Sequence, residues 1–376
     1  MSDDLQVRIL RDLVSFETIT PNGKTAISYA SNFLQTLGFQ CFELTFGGVA
    51  NLYARLGESS RNLSFAGHVD VVPPGTNWKF PPFTLTLDNG RFYGRGTNDM
   101  KGPLAACLAA IRDFCSLKSS PISPSLSVIL TSDEELMGDN GTKKVIDFLM
   151  KKNEKIDGCV LCESCCPNDV SGSYIKIGCR GSLNVNLSSH GTQCHVVNGK
   201  ISGNHLQKFI SFLNSLLDEK LDMGSEKFPP STMEITSIDV GNYTRNIIPN
   251  LATAKLNIRF NDLWNFEKLE QLIKGKSPKN VEASFERFYE AMICSGQKFI
   301  NLIEASMSKT NGVKPEVGTL GGNSDAIFIR KITDVVEVGS PISGAHIVDE
   351  FITGKDLIRL QKIYYNIMCD FASYNL

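Results

Sequence analysis

The stretch 65–103 constrains the fold of this chain most, because it joins a buried strand to a glycine-rich loop and the start of a helix. The apolar run 63–66 predicts the strand, and it delivers His68 and Asp70 at its carboxyl end. Side chains two residues apart on a strand point to the same face, so one imidazole and one carboxylate look out of the same strand end. A plain hydrogen-bonded His-Asp pair is the alternative interpretation.

Asp99 lies in a loop bracketed by glycines, between Gly94 and Gly102, and an alanine-rich helix is predicted from Leu104 to Phe114. Glycines let the backbone approach a ligand closely. Asp99 is therefore a candidate ligand, with capping of the following helix as its alternative role.

The composition bounds the size of the protein and its partners. At ~150 residues per domain, a chain of 376 residues is expected to form two to three domains. Its 38 basic and 40 acidic residues give a net charge of −2, so no electrostatic case arises for nucleic acid or an anionic membrane. We expect a small-molecule partner.

Targeting signals and disulfides are not expected. The N-terminus is acidic and lacks the basic flank and apolar core of a signal peptide, and nowhere do about eighteen apolar residues follow one another. Eleven scattered cysteines, an odd number in a long chain, fit reduced thiols. The sequence therefore predicts a cytoplasmic protein.

The order of the predicted elements indicates two domains. Strands alternate with helices in the first part of the chain, which predicts an α/β fold whose mostly parallel mixed sheet has helices on both faces. From about Cys179 the pattern becomes β-α-β-β-α-β, which is ferredoxin-like. We predict a larger domain of residues 1–178 and 290–376, and an inserted α+β domain of residues 179–289.

Several acidic and histidine side chains stand at or just past the carboxyl ends of predicted strands. They are His68, Asp70, Glu134, Glu135, Glu163 and His346. Ligands of open α/β sheets bind at this edge, so we expect these side chains to converge there with Asp99. Two imidazoles and three or four carboxylates match the ligands of zinc, and Asp99 is suited to bridge two ions about 3.5–4 Å apart.

The roles of these residues separate by chemistry. Asp70 is better placed to orient His68 than to bind metal, because a ligating imidazole usually donates its other N–H to a carboxylate. Adjacent carboxylates such as Glu134 and Glu135 seldom ligate one metal together, so one is expected to bind and the other to act as general base. Singly, each residue also has an ordinary interpretation as a helix-start acid, a strand-end charge or a loop histidine. Their shared position favours the metal site.

Three motifs carry a resemblance to a known family. They are GHVDVVP at 67–73, GRGTNDMKG at 94–102 and SDEE at 132–135. These motifs closely resemble those of the co-catalytic zinc deacylases and aminopeptidases, and the resemblance spans nearly the whole chain, including the inserted domain.

The resemblance implies two zinc ions per chain, for which cobalt can substitute. The implied ligands are His68 and Glu163 on one ion, Glu135 and His346 on the other, and Asp99 between them. It also implies that Glu134 is the general base. The expected assembly is a homodimer joined through the inserted domain, in which His195 reaches into the partner subunit's site to stabilise the tetrahedral oxyanion.

Further stretches of the resemblance concern the substrate. Trp78 with the following PPF at 81–83, RGSLN at 180–184 and GGNSD at 321–325 most resemble members that hydrolyse N-succinyl-L,L-2,6-diaminopimelate. The implied substrate-binding residues are Arg180, Asn246, Arg259, Gly322, Asn323 and Ser324. Residues 342–345 read ISGA where the family has a substrate-contacting asparagine. Acetylornithine and short peptides therefore stay open as alternative substrates.

Two interpretations from other classes compete with this one. Cys159-x-x-Cys162-x-x-Cys165-Cys166-Pro167 imitates the spacing of an iron–sulfur binding run. Against it, Cys159 and Cys162 lie at odd spacing on a predicted strand and face opposite sides. The second alternative is a non-catalytic peptide-binding module without metal, which the full set of expected ligands disfavours.

Overall fold

The computed structural model describes residues 4–116, 124–136 and 138–373. The chain divides into two compact units. The first comprises Met1–Gly178 and Cys294–Leu376, and the second comprises Cys179–Ile293.

The strands are short to medium in length and occur in both units. In chain order they are β1 (Gln40–Phe46), β2 (Val49–Leu56), β3 (Asn62–His68), β4 (Thr86–Asp88), β5 (Arg91–Tyr93), β6 (Ser125–Thr131), β7 (Gly158–Leu161), β8 (Tyr174–Lys176), β9 (Gly178–Cys179), β10 (Gly181–His190), β11 (Cys194–His195), β12 (Thr232–Asp239), β13 (Ile247–Ile248), β14 (Leu251–Phe260), β15 (Val281–Tyr289), β16 (Met292–Ile293), β17 (Glu316–Gly318), β18 (Val335–Glu337) and β19 (Phe351–Thr353).

The helices range from a single turn to twenty residues. They are α1 (Leu5–Ser15), α2 (Lys24–Thr36), α3 (Lys101–Ser116), α4 (Thr142–Lys151), α5 (Gly199–Ser202), α6 (His205–Leu217), α7 (Phe266–Lys276), α8 (Gln297–Asn311), α9 (Ala326–Ile329) and α10 (Gly354–Ser373), with short 3-10 helices at Val196–Asn198 and Ile342–Gly344.

An eight-stranded mixed sheet forms the centre of the first unit, in the order β1-β2-β6-β3-β7-β18-β8-β17. The neighbouring strands β6, β3, β7 and β18 run parallel. Every residue of these four strands is buried, as expected for a parallel sheet covered on both faces. This sheet confirms the predicted α/β fold class.

A tight hairpin forms one edge of this sheet. Strands β1 and β2 pair up to Phe46 and Val49, which leaves only Gly47 and Gly48 in the turn. Their φ angles are 54° and 86°. Two consecutive positive φ values match the type I′ turn, which suits the twist of a two-residue hairpin and favours glycine.

Two groups of helices cover the sheet of the first unit. Helix α10 packs against α3 and α8, and α1 packs against α3, while α2 and α4 pack on β1, β2 and β6. The predicted helix 104–114 begins earlier, at Lys101, because Pro103 falls in the first turn, where the missing N–H costs nothing. The small antiparallel sheet β19-β5-β4 was not predicted, since its strands have only three residues each.

The second unit has the ferredoxin-like arrangement that its sequence predicts. Its sheet order is β12-β14-β10-β15, so the first and third strands of the β-α-β-β-α-β pattern lie in the middle. Alternate residues of β10, such as Leu183, Val185 and Leu187, are buried and pack in one core cluster with Leu216 of α6 and Leu269 of α7. No helix of the described residues is long and apolar enough to span a membrane.

Candidate metal centre

The parallel strands of the first unit bring the predicted ligands to one edge. His68 is the last residue of β3, Glu134 and Glu135 follow β6, Glu163 follows β7, and His346 follows β18. Because these strands are neighbours and run parallel, their carboxyl ends coincide. Strand β3 ends at His68, and Asp70 lies two residues past it, at the strand end where the sequence predicts both residues.

Two histidines face the two oxygens of the Asp99 carboxylate. His68 Nε2 lies 3.3 Å from Asp99 Oδ1, and His346 Nε2 lies 3.3 Å from Asp99 Oδ2. His68 Nε2 is also 3.5 Å from Glu163 Oε2, whereas His346 Nε2 is 2.9 Å from Glu135. Asp99 therefore stands between a His68–Glu163 pair and a Glu135–His346 pair.

The donor set fits two divalent cations. Ligand atoms of His68, Asp99 and Glu135 lie within 4.8 Å of one another. The buried Oε2 atom of Glu163 has no hydrogen-bond partner in the described part of the chain. A buried carboxylate oxygen without a partner is costly unless a cation or donor meets it, and nitrogen with oxygen ligands suits zinc.

The acids of the cluster are perturbed by burial and by one another. Burial raises the pKa of Glu134 well above its usual value, and the nearby charges of Asp325 and Glu135 add to this. Burial and the charge of Asp99 raise the pKa of Glu163 in the same way. Burial also disfavours ionised Asp99, but hydrogen bonds from His346 and His68 outweigh it and hold the pKa of Asp99 below its ordinary range.

The histidines respond in the opposite sense. Burial lowers the pKa of His68, but its hydrogen bond to Asp99 and the charges of Glu163 and Glu134 outweigh burial and raise it well above its usual value. Hydrogen bonds to Asp99 and Glu135 raise the pKa of His346 to about 10. The site is thus an electronegative cluster that favours bound positive charge, which metal ions supply.

Asp70 contacts His68 differently from the prediction. The backbone carbonyl of Asp70 lies 2.9 Å from His68 Nδ1, while the carboxylate oxygen lies 3.6 Å away. The carboxylate instead accepts the backbone N–H groups of Glu134 and Glu135, at 3.4 and 3.1 Å. Asp70 therefore positions His68 through its backbone and the two glutamates through its side chain.

The two adjacent glutamates face different histidines. Glu135 contacts His346, whereas the Oε2 atom of Glu134 lies 3.9 Å from Nε2 of His68. Glu134 thus lies farther from Nε2 of His68 than Glu163 does, at 3.9 Å against 3.5 Å.

The predicted substrate loop of the first unit rests on a buried ion pair. Lys176 Nζ lies 2.8 Å from Glu337 Oε2 and donates to the carbonyl of Gly322 at 2.7 Å. The Ser324 hydroxyl donates to the other oxygen of Glu337 at 2.6 Å. Asn323 lies between Gly322 and Ser324, and these hydrogen bonds hold the loop in place.

The predicted residues of the second unit form two pairs. Burial and the neighbouring charge of Arg259 lower the pKa of Arg180, and Arg259 donates to the Tyr289 hydroxyl at 2.6 Å. His195 pairs with Ile247 across β11 and β13, next to Asn246, whose carbonyl accepts the N–H of Val196.

Sequence reasoning missed two residues that hold the ligand loops, Arg95 and Glu350. Both are buried, and Arg95 Nη1 lies 2.7 Å from Glu350 Oε2. The available signal was position: Arg95 lies within the glycine-bracketed motif of Asp99, and Glu350 follows His346 closely in the same loop.

The fold and the cluster define a class of protein, the metal-dependent hydrolases of amide bonds. The model of Peptidase family M20/M25/M40 matches residues 64–370, and the chain belongs to this family. Membership confirms the predicted enzyme class, a metal-dependent amidohydrolase.

Individual proteins agree with this assignment. The chain is 39% identical to the succinyl-diaminopimelate desuccinylase of Pelagibacter ubique (strain HTCC1062), over 96% of this chain and 98% of the relative. It is 37% identical to the protein of the same name from Orientia tsutsugamushi (strain Ikeda), over 100% and 98%. The M20 family metallo-carboxypeptidase Sso-CP2 from Sulfolobus solfataricus shares the fold, with a TM-score of 0.78 at 20% identity, covering 99% of this chain and 100% of that one.

The iron–sulfur interpretation is wrong. The family is one of metallopeptidases, and the ligand group found among the described residues contains no cysteine. Cys159 lies inside β7 and Cys162 directly after it, and both are buried. Their thiols belong to the packed interior.

We expect Glu163→Gln to stabilise the metal-free protein and to destabilise the protein in zinc. Without metal, the amide replaces a carboxylate that burial and the charge of Asp99 disfavour and whose Oε2 atom has no hydrogen-bond partner, and such a buried group costs about 1–3 kcal/mol. With zinc, the variant loses a ligand and the stabilisation by bound metal. Urea unfolding followed by circular dichroism, in chelator and in zinc, measures both effects.

The matched control is Glu316→Gln, an exposed glutamate on β17 of the same unit. It should leave the unfolding midpoint unchanged in both conditions. Destabilisation by Glu163→Gln in chelator would contradict the view that the free carboxylate is a cost carried for metal binding.

Proposed function

We propose that this chain is a di-zinc hydrolase that cleaves N-succinyl-L,L-2,6-diaminopimelate to succinate and L,L-2,6-diaminopimelate, in lysine and diaminopimelate biosynthesis. The observation that carries the proposal is the pair of imidazoles on the two oxygens of Asp99, at 3.3 Å each. The substrate rests on the names of the relatives, which match over nearly the full length.

Five side chains would hold the metal. His68 and Glu163 would hold one zinc ion, Glu135 and His346 the other, and Asp99 would join them; this grouping follows the contacts already described. When bound, the ions would polarise the amide carbonyl and acidify the attacking water.

Glu134 would move the proton. Its carboxylate lies beside His68, and burial raises its pKa, so that it binds a proton more readily than an exposed carboxylate does. Glu134 would take a proton from the attacking water and return it to the nitrogen that leaves as the amine. Asp70 would keep Glu134 in place, because its carboxylate accepts the Glu134 backbone N–H.

The second unit would supply the groups that recognise and stabilise charge. The substrate bears three carboxylates, and the neighbouring guanidinium groups of Arg180 and Arg259 are suited to bind them. Nδ1 of His195 accepts the N–H of Val197 at 3.3 Å, which assigns the ring proton to Nε2 in the neutral imidazole. His195 would therefore offer an N–H donor to the oxyanion of the tetrahedral intermediate.

A substrate panel tests the proposal. The zinc-loaded protein should hydrolyse succinyl-diaminopimelate with a higher kcat/KM than acetylornithine or simple dipeptides, because three carboxylates meet two arginines. Residues 342–345, which replace the family asparagine, are the reason to include the alternatives. A higher kcat/KM for either alternative would overturn the substrate but keep the hydrolase, and no hydrolysis of any member would favour the binding module.

Glu134→Gln separates catalysis from metal binding. Elemental analysis should find two zinc ions per chain in the variant and in the wild type, since the ligands are intact. Turnover should fall about 10²–10⁴-fold, because an amide cannot accept the proton. Near-wild-type turnover would transfer the role of base to another residue, and a metal content near zero in the wild type would overturn the two-zinc site.

We also propose a homodimer joined through the second unit. Tyr243, Ile201 and Val197 of that unit are 99%, 88% and 77% exposed in the single chain, and its strand β12 is an unpaired sheet edge within the described residues. Exposed apolar side chains and a free edge both favour a covering partner. None of the eleven cysteines, all of which lie in the described part of the chain, forms a disulfide, and this fits the reducing cytoplasm as its location.

Mixing two inactive variants tests whether His195 acts across this dimer. In a hybrid of His195→Ala and Glu134→Gln chains, one of the two sites combines an intact Glu134 with an intact partner histidine. Random exchange should therefore restore about a quarter of the wild-type activity. A hybrid as inactive as both parents, with exchange verified by mass spectrometry, would place His195 outside the partner's site.

A further inference from the structure

Glu350 gathers the loop that carries Asp99. Its side chain is fully buried, and one carboxylate oxygen accepts the backbone N–H groups of Asn98 and Asp99 at 2.7 and 3.0 Å. The other oxygen accepts the N–H of Gly96 at 2.8 Å and Arg95 Nη1 at 2.7 Å. One carboxylate thus fixes the backbone on both sides of the turn that leads into Asp99.

Arg95 joins this loop to the loop that carries His346. Its Nη1 also donates to the carbonyl of Ile347 at 3.1 Å, and its Nη2 lies 3.5 Å from the carbonyl of His346. The guanidinium lies 5.1 Å from the ring centre of Trp78, which covers it. A planar group with several donors can hold two strands of backbone at once, which the point charge of a lysine cannot do.

A second set of contacts ties the same loops together. The Ser340 hydroxyl donates to the carbonyl of Asn98 at 2.6 Å, and the Asn98 side chain donates to the carbonyl of Pro341 at 2.8 Å. Asn98 also lies under Gly344, where an added Cβ would come within 2.7 Å of it. The segments 95–99 and 340–350 therefore form one hydrogen-bonded assembly.

His346 needs such support. Its φ angle is 63°, a left-handed conformation that a residue with a side chain adopts only when its surroundings hold it. Its side chain is half-exposed, so packing does not fix the ring. His68, by contrast, is buried and ends a paired strand.

We propose that Arg95 and Glu350 are positioning residues that set the distance between Asp99 and His346, and thereby the affinity for the second metal ion. We call Arg95 and Glu350 together the clamp. The first ion would keep His68, the last residue of β3, and Glu163, which lies two residues past β7; both side chains are buried. The second ion would depend on Glu135 and His346, which both lie in loops.

The inference rests on the two-metal site of the proposed function, and it does not depend on the substrate. Its test is therefore zinc binding. Zn²⁺ is titrated into metal-free protein by calorimetry, and Co²⁺ is titrated with its visible absorption as a second readout. The variants are Arg95→Lys and Glu350→Gln. In Glu350→Gln an NH₂ group replaces one carboxylate oxygen. This group faces backbone N–H donors, from which it cannot accept a hydrogen bond.

Both variants should bind the second ion about 10–100-fold more weakly, and the first ion should weaken clearly less, because it shares Asp99 but keeps His68 and Glu163. The control is Arg55→Lys, which disturbs the ion pair of Arg55 with Glu154 in the same unit. Arg55 contacts neither ligand loop, so the Arg55→Lys variant should bind both ions with wild-type affinity.

Unchanged affinity for the second ion in a folded variant would contradict the proposed role of the clamp. Equal weakening of both ions would overturn it too, because the pair would then support the whole site rather than His346. If Glu350→Gln fails to fold by circular dichroism, Arg95→Lys decides, since it keeps the charge beside Glu350. If the wild type shows no desuccinylase activity, the proposed substrate is wrong, but the conclusion from metal binding is unaffected.

Discussion

The alignment of four parallel strand ends is the constraint on which the rest of the structure depends. In the order β6-β3-β7-β18, hydrogen bonding between parallel neighbours fixes where each strand stops, and hence where the next side chain begins. A carboxylate or an imidazole placed one or two residues past such a strand therefore lies at the shared edge of the sheet. The apolar strands thus determine the position of polar groups that they do not contain.

Collecting charge at this edge is energetically unfavourable without a counter-charge. Asp99 is nine-tenths buried, and Glu163 has a buried oxygen without a hydrogen-bond partner in the described residues, so neither acid is well solvated. The pKa values of His68 and His346 are raised, so that their protonated imidazoles offset part of the negative charge. The remaining imbalance is the property that distinguishes a metal site from a network built for stability, because a stabilising network satisfies its own polar groups.

The sequence predicted most of the fold and the meeting of the candidate ligands at one sheet edge, because both depend on local pattern. Apolar runs of strand length and the glycines around Asp99 mark the elements, and position at a strand end marks His68, Glu135 and His346. The sequence did not show that Asp70 approaches His68 most closely through its backbone carbonyl, because spacing along a chain does not reveal which atom of a residue forms the contact. Glu350 was missed, because its partners are backbone N–H groups about 250 residues away.

The proposed ligands divide into two kinds by how the fold supports them, and this division bears on how such a site would work. A ligand at a strand end is placed by the cooperative sheet and moves only if the sheet moves, whereas a ligand in a loop is placed by a few hydrogen bonds that each contribute about 0.5–1.5 kcal/mol. His68 is of the first kind and His346 of the second. A site with one rigid and one adjustable half keeps a firmly held ion while the other half accommodates charge that develops during the reaction. The buried contact between Arg95 and Glu350 limits how far that adjustable half can move, since it ties the His346 loop to the backbone of Asp99.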